Sequence, residues 1–159
     1  METSIIQPVR NEASPALTLL GYSQRYDESN MKEIPQLWEK FGPASDSLSN
    51  VMGDKYYGPC WDPFTKGPYF EYMAAIAVTT TEGKPDDMTV LEIPAQTYAV
   101  FEHFGQGSDL SKTIDRIFKE WAPTANFTKP GFPSMMEVYG DDFDPQTVSG
   151  RIELWIPLP

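Results

Sequence analysis

A segment near residue 60 returns near residue 142, and that repetition sets most of what the chain can fold into. Residues Tyr57-Gly58-Pro59-Cys60-Trp61-Asp62-Pro63 read YGPCWDP, and Tyr139-Gly140-Asp141-Asp142-Phe143-Asp144-Pro145 read YGDDFDP. Tyr, Gly, Asp and Pro thus recur 82 positions apart, with Phe in place of Trp. At the same spacing Phe70-Glu71-Tyr72 aligns with Ile152-Glu153-Leu154. One residue of slippage upstream aligns Met31, Ile34 and Trp38 with Ile114, Ile117 and Trp121. Three matches in one order point to tandem duplication of a supersecondary unit. They divide a single domain, 1–159, into two pseudo-symmetric halves of about 1–87 and 88–159.

Periodicity says what the unit is. Met31, Ile34, Leu37, Trp38 and Phe41 fall at helical spacing, with Ser29 or Asn30 as cap and Gly42-Pro43 as stop. Leu110, Ile114, Ile117, Phe118 and Trp121 repeat the stripe, beginning near Ser108 or Asp109 and ending before Pro123. Both stripes read as core faces. A strand-like run precedes each helix, Ala16 to Tyr22 and Thr97 to Phe104. Two more follow each helix: Lys55–Tyr57 and Tyr69–Val78, then Met135–Tyr139 and Arg151–Pro157. The Asp-Pro pairs predict turns between them. Two strand–helix–strand–strand units make an α+β protein with a mainly antiparallel sheet.

Strand alternation then assigns faces. Ile152, Leu154, Ile156 and Leu158 form an apolar set expected under the helices, which turns Arg151, Glu153 and Trp155 the other way. By the repeat, Phe70 and Tyr72 face the helices and Glu71 and Met73 do not. In the strand at 135–139, Met136 and Val138 are expected in the core, with Met135, Glu137 and Tyr139 opposite. Tyr57 is the repeat partner of Tyr139. The second face is therefore expected to carry Glu71, Glu137, Glu153, Tyr57, Tyr139, Trp155 and two methionines.

Composition narrows the function classes. Twelve Lys and Arg against 23 Asp and Glu leave a net charge of −11. Such a chain repels phosphate backbones and anionic lipid, so direct nucleic-acid or membrane binding through a basic face is not expected. The same field attracts cations, although net charge also serves simply to keep a protein in solution. One cysteine, Cys60, allows no internal disulfide. One histidine, His103, beside that cysteine provides no ordinary zinc ligand set, and it reads as a strand residue. Phosphate-binding glycine loops, G-x-S-x-G and H-E-x-x-H are missing. The longest apolar run, Met73 to Val78, is too short to cross a bilayer. The N-terminus lacks the pattern of a secretory signal, so a soluble, cytoplasmic protein is expected. Nothing in the sequence implies a metal or an organic cofactor.

An acidic, aromatic and methionine-bearing face leaves three uses open. Ring faces and a carboxylate suit a hydrophobic cation, with methionine adapting to ligand shape. A pocket glutamate with a raised pKa suits general acid–base work. An acidic solvated sheet with incidental aromatics needs neither.

The duplicated unit, TYAVFEHFG leading into the second helix, EVYG in the late strand and the closing ELWIPL resemble the gyrase-inhibitor-like (GyrI-like) effector-binding domain. The resemblance runs from about Leu17 to Pro157. It implies a curved antiparallel sheet with two helices on one side and a ligand cleft on the other. It also implies that Glu137, in the E-x-Y motif with Tyr139, is the acidic partner of the ligand at the cleft floor. Strand alternation adds Glu71, Glu153, Tyr57, Trp155 and Met73 as lining residues, and Trp61 as a rim residue or turn anchor. Trp38 and Trp121 read as core. Similar domains are the ligand-sensing parts of AraC-type and MerR-type activators, many of which bind lipophilic cations. Others stand alone as small-molecule binders, gyrase modulators or hydrolases of reactive toxins.

Unlike those activators, this sequence has only about 16 residues ahead of its first strand, with two prolines and no basic cluster. The expectation is a free-standing binder of lipophilic, cationic small molecules. The alternatives are a hydrolase with Glu137 as catalytic base and an interaction protein that modulates gyrase. A protein partner or a homodimer is compatible with each.

Overall fold

The computed structural model describes residues 7–27, 29–61, 70–103, 110–121, 123, 135–140 and 152–158. Among these residues eight strands form one antiparallel sheet: β1 (Arg10–Ser14), β2 (Leu17–Tyr26), β3 (Val51–Trp61), β4 (Phe70–Val78), β5 (Thr89–Ile93), β6 (Gln96–His103), β7 (Met135–Tyr139) and β8 (Ile152–Pro157). Their order is β1-β6-β8-β7-β3-β4-β2-β5. Helix α1 (Ile34–Ser45) follows a short 3-10 turn, Met31–Glu33, and α2 (Leu110–Arg116) runs on into a π-helical turn, Ile117–Trp121. The fold is the expected α+β arrangement, a curved antiparallel sheet with two helices.

The curvature has a sequence cause. Arg10 pairs with Val100, Ser14 with Gln96, Leu17 with Ile93 and Gly21 with Thr89. One register therefore runs through β1–β2 against β5–β6, broken only at Pro15-Ala16 and Pro94-Ala95. Proline donates no ladder hydrogen bond, so the ribbon corners there. The ribbon's two segments lie at opposite ends of the strand order, yet Ile93 and Gln96 are three residues apart. Three trans peptide steps reach about 11 Å at most, so the sheet must curl until its ends approach each other.

The curl yields two cores. Between helices and sheet, Leu37, Trp38 and Phe41 of α1 and Ile117 and Trp121 beyond α2 pack on Tyr72, Ile76, Phe101, Leu154 and Ile156. On the other face, Leu17, Leu19, Met73, Tyr98, Met136 and Trp155 form a second buried cluster. Its members come from both ends of the sheet, as a curled sheet requires.

Several expectations are corrected. Helix α1 does not stop at Gly42-Pro43 but continues to Ser45, whose hydroxyl donates to the Gly42 carbonyl at 2.7 Å. Neither Ser29 nor Asn30 caps it; the N-cap position is Glu33, without a side-chain cap, and Pro35 occupies the first turn. Strand β3 is far longer than Lys55–Tyr57 and takes in Tyr57 to Trp61, so the first half of the YGPCWDP motif is strand. The β3–β4 register shifts between Val51 and Tyr56, a stretch in which Gly53 sits at φ 81°. The Asp-Pro turns themselves lie outside the described residues.

The assignment of faces in β7 is also overturned. Met135 and Tyr139 belong to the helix-side core, whereas Met136 and Val138 belong to the inner one. The repeat explains why. Val138 pairs with Glu153, and Trp61 pairs with Glu71, so Val138 and Trp61 are structural equivalents. The 82-residue spacing instead equates Val138 with Tyr56, five positions away. An odd displacement along a strand reverses its faces.

Candidate ligand site

Strand β7 turns Glu137 toward the helices, into the aromatic core. Its side chain is 6 % exposed. The hydroxyls of Tyr72 on β4 and Tyr139 on β7 both donate to Glu137 Oε1, each at 2.5 Å. The Trp38 indole on α1 donates to the Tyr72 oxygen at 2.8 Å. The helix, the central sheet and the carboxylate are thereby joined in one buried chain of hydrogen bonds.

Aromatic rings enclose it. Trp38 meets Tyr139 edge to face at a centroid distance of 5.3 Å, Tyr56 at 6.1 Å and Tyr72 at 6.5 Å. Tyr26 adds an edge contact to Tyr72 at 6.2 Å. Gly58 makes room for the centre: it pairs with Glu137 across β3–β7, and a Cβ there would lie 2.6 Å from the Tyr72 hydroxyl and 2.8 Å from Glu137 Oε1.

The electrostatics follow from this enclosure. Burial raises the Glu137 pKa above its ordinary value, and the two tyrosine hydrogen bonds only partly offset that. Burial, then the neighbouring Glu137 charge, pushes both Tyr72 and Tyr139 well above the usual phenol range. Both tyrosines are therefore fixed donors. Among the described residues no Lys or Arg reaches the carboxylate, and nothing else supplies a positive charge to it.

Of the expected site residues, the structure brings Glu137 and Tyr139 together. Glu71, Glu153, Tyr57, Trp155, Met73 and Trp61 belong to the opposite face, where Tyr57 and Trp61 pack against the buried cluster that contains Met73 and Trp155. Both carboxylates of that set already have cations. Glu71 pairs with Arg25 at 3.2 Å, and Arg10 grips both Glu153 oxygens at 2.9 and 3.0 Å. The Trp155 indole also donates to Glu153, at 3.0 Å. The residues that sequence reasoning left out of the site are Tyr72, Trp38, Tyr26, Tyr56 and Gly58. Tyr72 and Trp38 were both expected on the helix side, so placing Glu137 on that side would have gathered them.

Residues 7–159 match the GyrI-like small molecule binding domain. The chain belongs to that family. Among curated relatives, the transcriptional regulator BrlR of Pseudomonas aeruginosa is 25 % identical over 146 residues, covering 91 % of this chain and 53 % of BrlR. The chain thus spans about half the length of that curated relative. The structure of SAV2435 bound to tetraphenylphosphonium superposes with a TM-score of 0.72 at 18 % identity, over 94 % of this chain and 93 % of that one. The C-terminal domain of EcmrR gives 0.62 at 16 % identity, over 93 % and 94 %. These two likenesses are of fold. As a GyrI-like domain, the chain is a small-molecule binding module, and no helix among its described residues is long and apolar enough to cross a membrane.

Proposed function

We propose that this GyrI-like domain binds lipophilic cations, with Glu137 as counter-charge and Trp38, Tyr72 and Tyr139 as the surrounding wall. The observation that carries the reading is a buried carboxylate in an aromatic enclosure with no cation of its own among the described residues. Such a group is costly to bury ionised, and a bound cation removes that cost. Each ring face adds about 0.5–2 kcal/mol toward a cation held against it. That SAV2435 was solved with tetraphenylphosphonium, itself a lipophilic cation, supports the choice of ligand class.

Entry requires movement. Trp38 is fully buried against Tyr72 and Tyr139, and Glu137 keeps only 6 % exposure, so a bulky ligand enters the aromatic enclosure by displacing the indole of α1. The deciding experiment is titration of tryptophan fluorescence with tetraphenylphosphonium and with triphenylphosphine oxide as an uncharged counterpart. Saturable quenching by the phosphonium alone, lost in Glu137→Gln, is expected. Equal response to both compounds, or to neither, would overturn the reading. A glutamate of raised pKa also suits a general base; product formed from a strained electrophile and lost in Glu137→Gln would favour that chemistry instead.

A further inference from the structure

The two tyrosine hydrogen bonds to Glu137 fall on the same atom. Tyr72 and Tyr139 both donate to Oε1, and Oε2 receives no hydrogen bond among the described residues. No sealed side-chain oxygen or nitrogen among those residues lacks a partner. Oε2 is therefore not sealed, and the small exposure that Glu137 retains includes it. A carboxylate oxygen has lone pairs to place, and a charge-assisted N–H···O bond is about twice as strong as a neutral one.

The arrangement is asymmetric in what it asks of a ligand. Oε1 is saturated by two phenols whose protons are held fast. Oε2 offers an acceptor that a quaternary ammonium or phosphonium, having no N–H, leaves unused. From this we infer that the ligands fitted best to the Glu137 site are lipophilic cations bearing an N–H donor, protonated arylalkylamines or amidines, which bond directly to Oε2. The inference rests on the cation reading above and names the ligand class within it. A quaternary cation would gain only charge and ring contacts. A protonated amine gains those and a directed bond, which also orients its apolar groups against Trp38 and Tyr139.

The test compares N,N-dimethyl-3,3-diphenylpropylamine, protonated at neutral pH, with its N-methylated trimethylammonium counterpart and with 3,3-diphenylpropan-1-ol, by isothermal titration calorimetry on the whole chain. The quaternary ion is the easier of the two cations to desolvate, so the comparison is biased against the expected result. The protonated amine should bind about tenfold or more tightly than the trimethylammonium ion. In Glu137→Gln that preference should disappear. Equal affinity of the two cations, with the alcohol weaker, would overturn the N–H inference while leaving the cation reading standing. A preference for the amine that persists in Glu137→Gln would likewise overturn it, because another acceptor would then be responsible. Failure of both cations to bind, or equal binding of the alcohol, would remove both readings together.

Discussion

Gly58 stands opposite Glu137 across the β3–β7 ladder, and the space its side chain would take holds the Glu137 carboxylate and the Tyr72 hydroxyl. At an ordinary strand position, Ala in place of Gly gains about 0.5–1 kcal/mol. Here the added methyl would lie within 2.6 Å of the Tyr72 oxygen, and all the atoms it meets are buried. Gly58→Ala is therefore expected to lose about 1–3 kcal/mol in urea unfolding and to weaken tetraphenylphosphonium binding, by forcing Tyr72 and Glu137 apart. Unchanged stability and affinity would mean that the cluster re-forms around the methyl and that glycine is not required.

Glu137 should make the protein less stable as it ionises. Its pKa is higher folded than unfolded, so between the two values the native state holds more protons. Stability then falls as pH rises from the ordinary value near 4.5 through the folded one, and stays lowered above it. Glu137→Gln removes the titration while keeping an oxygen for both tyrosines. Its melting temperature should exceed that of the parent at pH 7, with the gap closing toward pH 4. A variant less stable at pH 7 would show that the ionised carboxylate is better accommodated than its burial suggests. Cation affinity of the parent should rise across the same interval, since proton and ligand compete for one charge.

How much of this was legible in the sequence depends on what each residue's signal was. Both helices and the alternation in β4 and β8 were readable, the latter because Ile152, Leu154 and Ile156 leave only one apolar face. Glu137 was readable as the acidic residue through its E-x-Y setting. Its face was not. Met135-Met136-Glu137-Val138-Tyr139 is buried at every position, so alternation carries no contrast there. The 82-residue spacing sets β3 and β7 five positions out of the register their strand pairings show, and that odd displacement puts Glu137 on the wrong side. The extent of β3 was hidden by Gly58-Pro59, which reads as a turn. Pro59 is nonetheless accommodated in the β3–β7 ladder, opposite Met136. The paired corners at Pro15-Ala16 and Pro94-Ala95 were a signal available in the sequence, and they mark where the ribbon bends.

Glu153, on the face away from the helices, should titrate in the opposite sense to Glu137. Burial pushes its pKa up, but hydrogen bonds from Arg10 and Trp155 outweigh this and hold it below the ordinary value. A depressed carboxyl contributes stability above its unfolded pKa and loses it as pH falls through the folded one. Glu153→Gln should therefore destabilise at pH 7 and be nearly neutral in acid, the reverse of Glu137→Gln. Arg10 is 38 % exposed, so the loss should stay under about 1 kcal/mol. Parallel pH dependence in the two variants would contradict the assignment of these residues to different surroundings.

Trp38 offers the most direct optical report on the site. Its indole bonds to Tyr72, which bonds to Glu137, and its ring lies against Tyr139. The other tryptophans are elsewhere: Trp61 and Trp155 pack on the opposite face of the sheet, and Trp121 packs on Phe101. A cation arriving at Glu137 must therefore disturb Trp38 before any other indole. Trp38→Phe keeps an aromatic ring but removes the N–H donor, at a cost of about 1–3 kcal/mol in stability. The Tyr72 hydroxyl can still donate to Glu137 in that variant, so binding should persist when followed by calorimetry, while most of the fluorescence quenching disappears. Retention of the full quenching amplitude would place the ligand near another tryptophan, and the inner face around Trp155 would become the site to mutate.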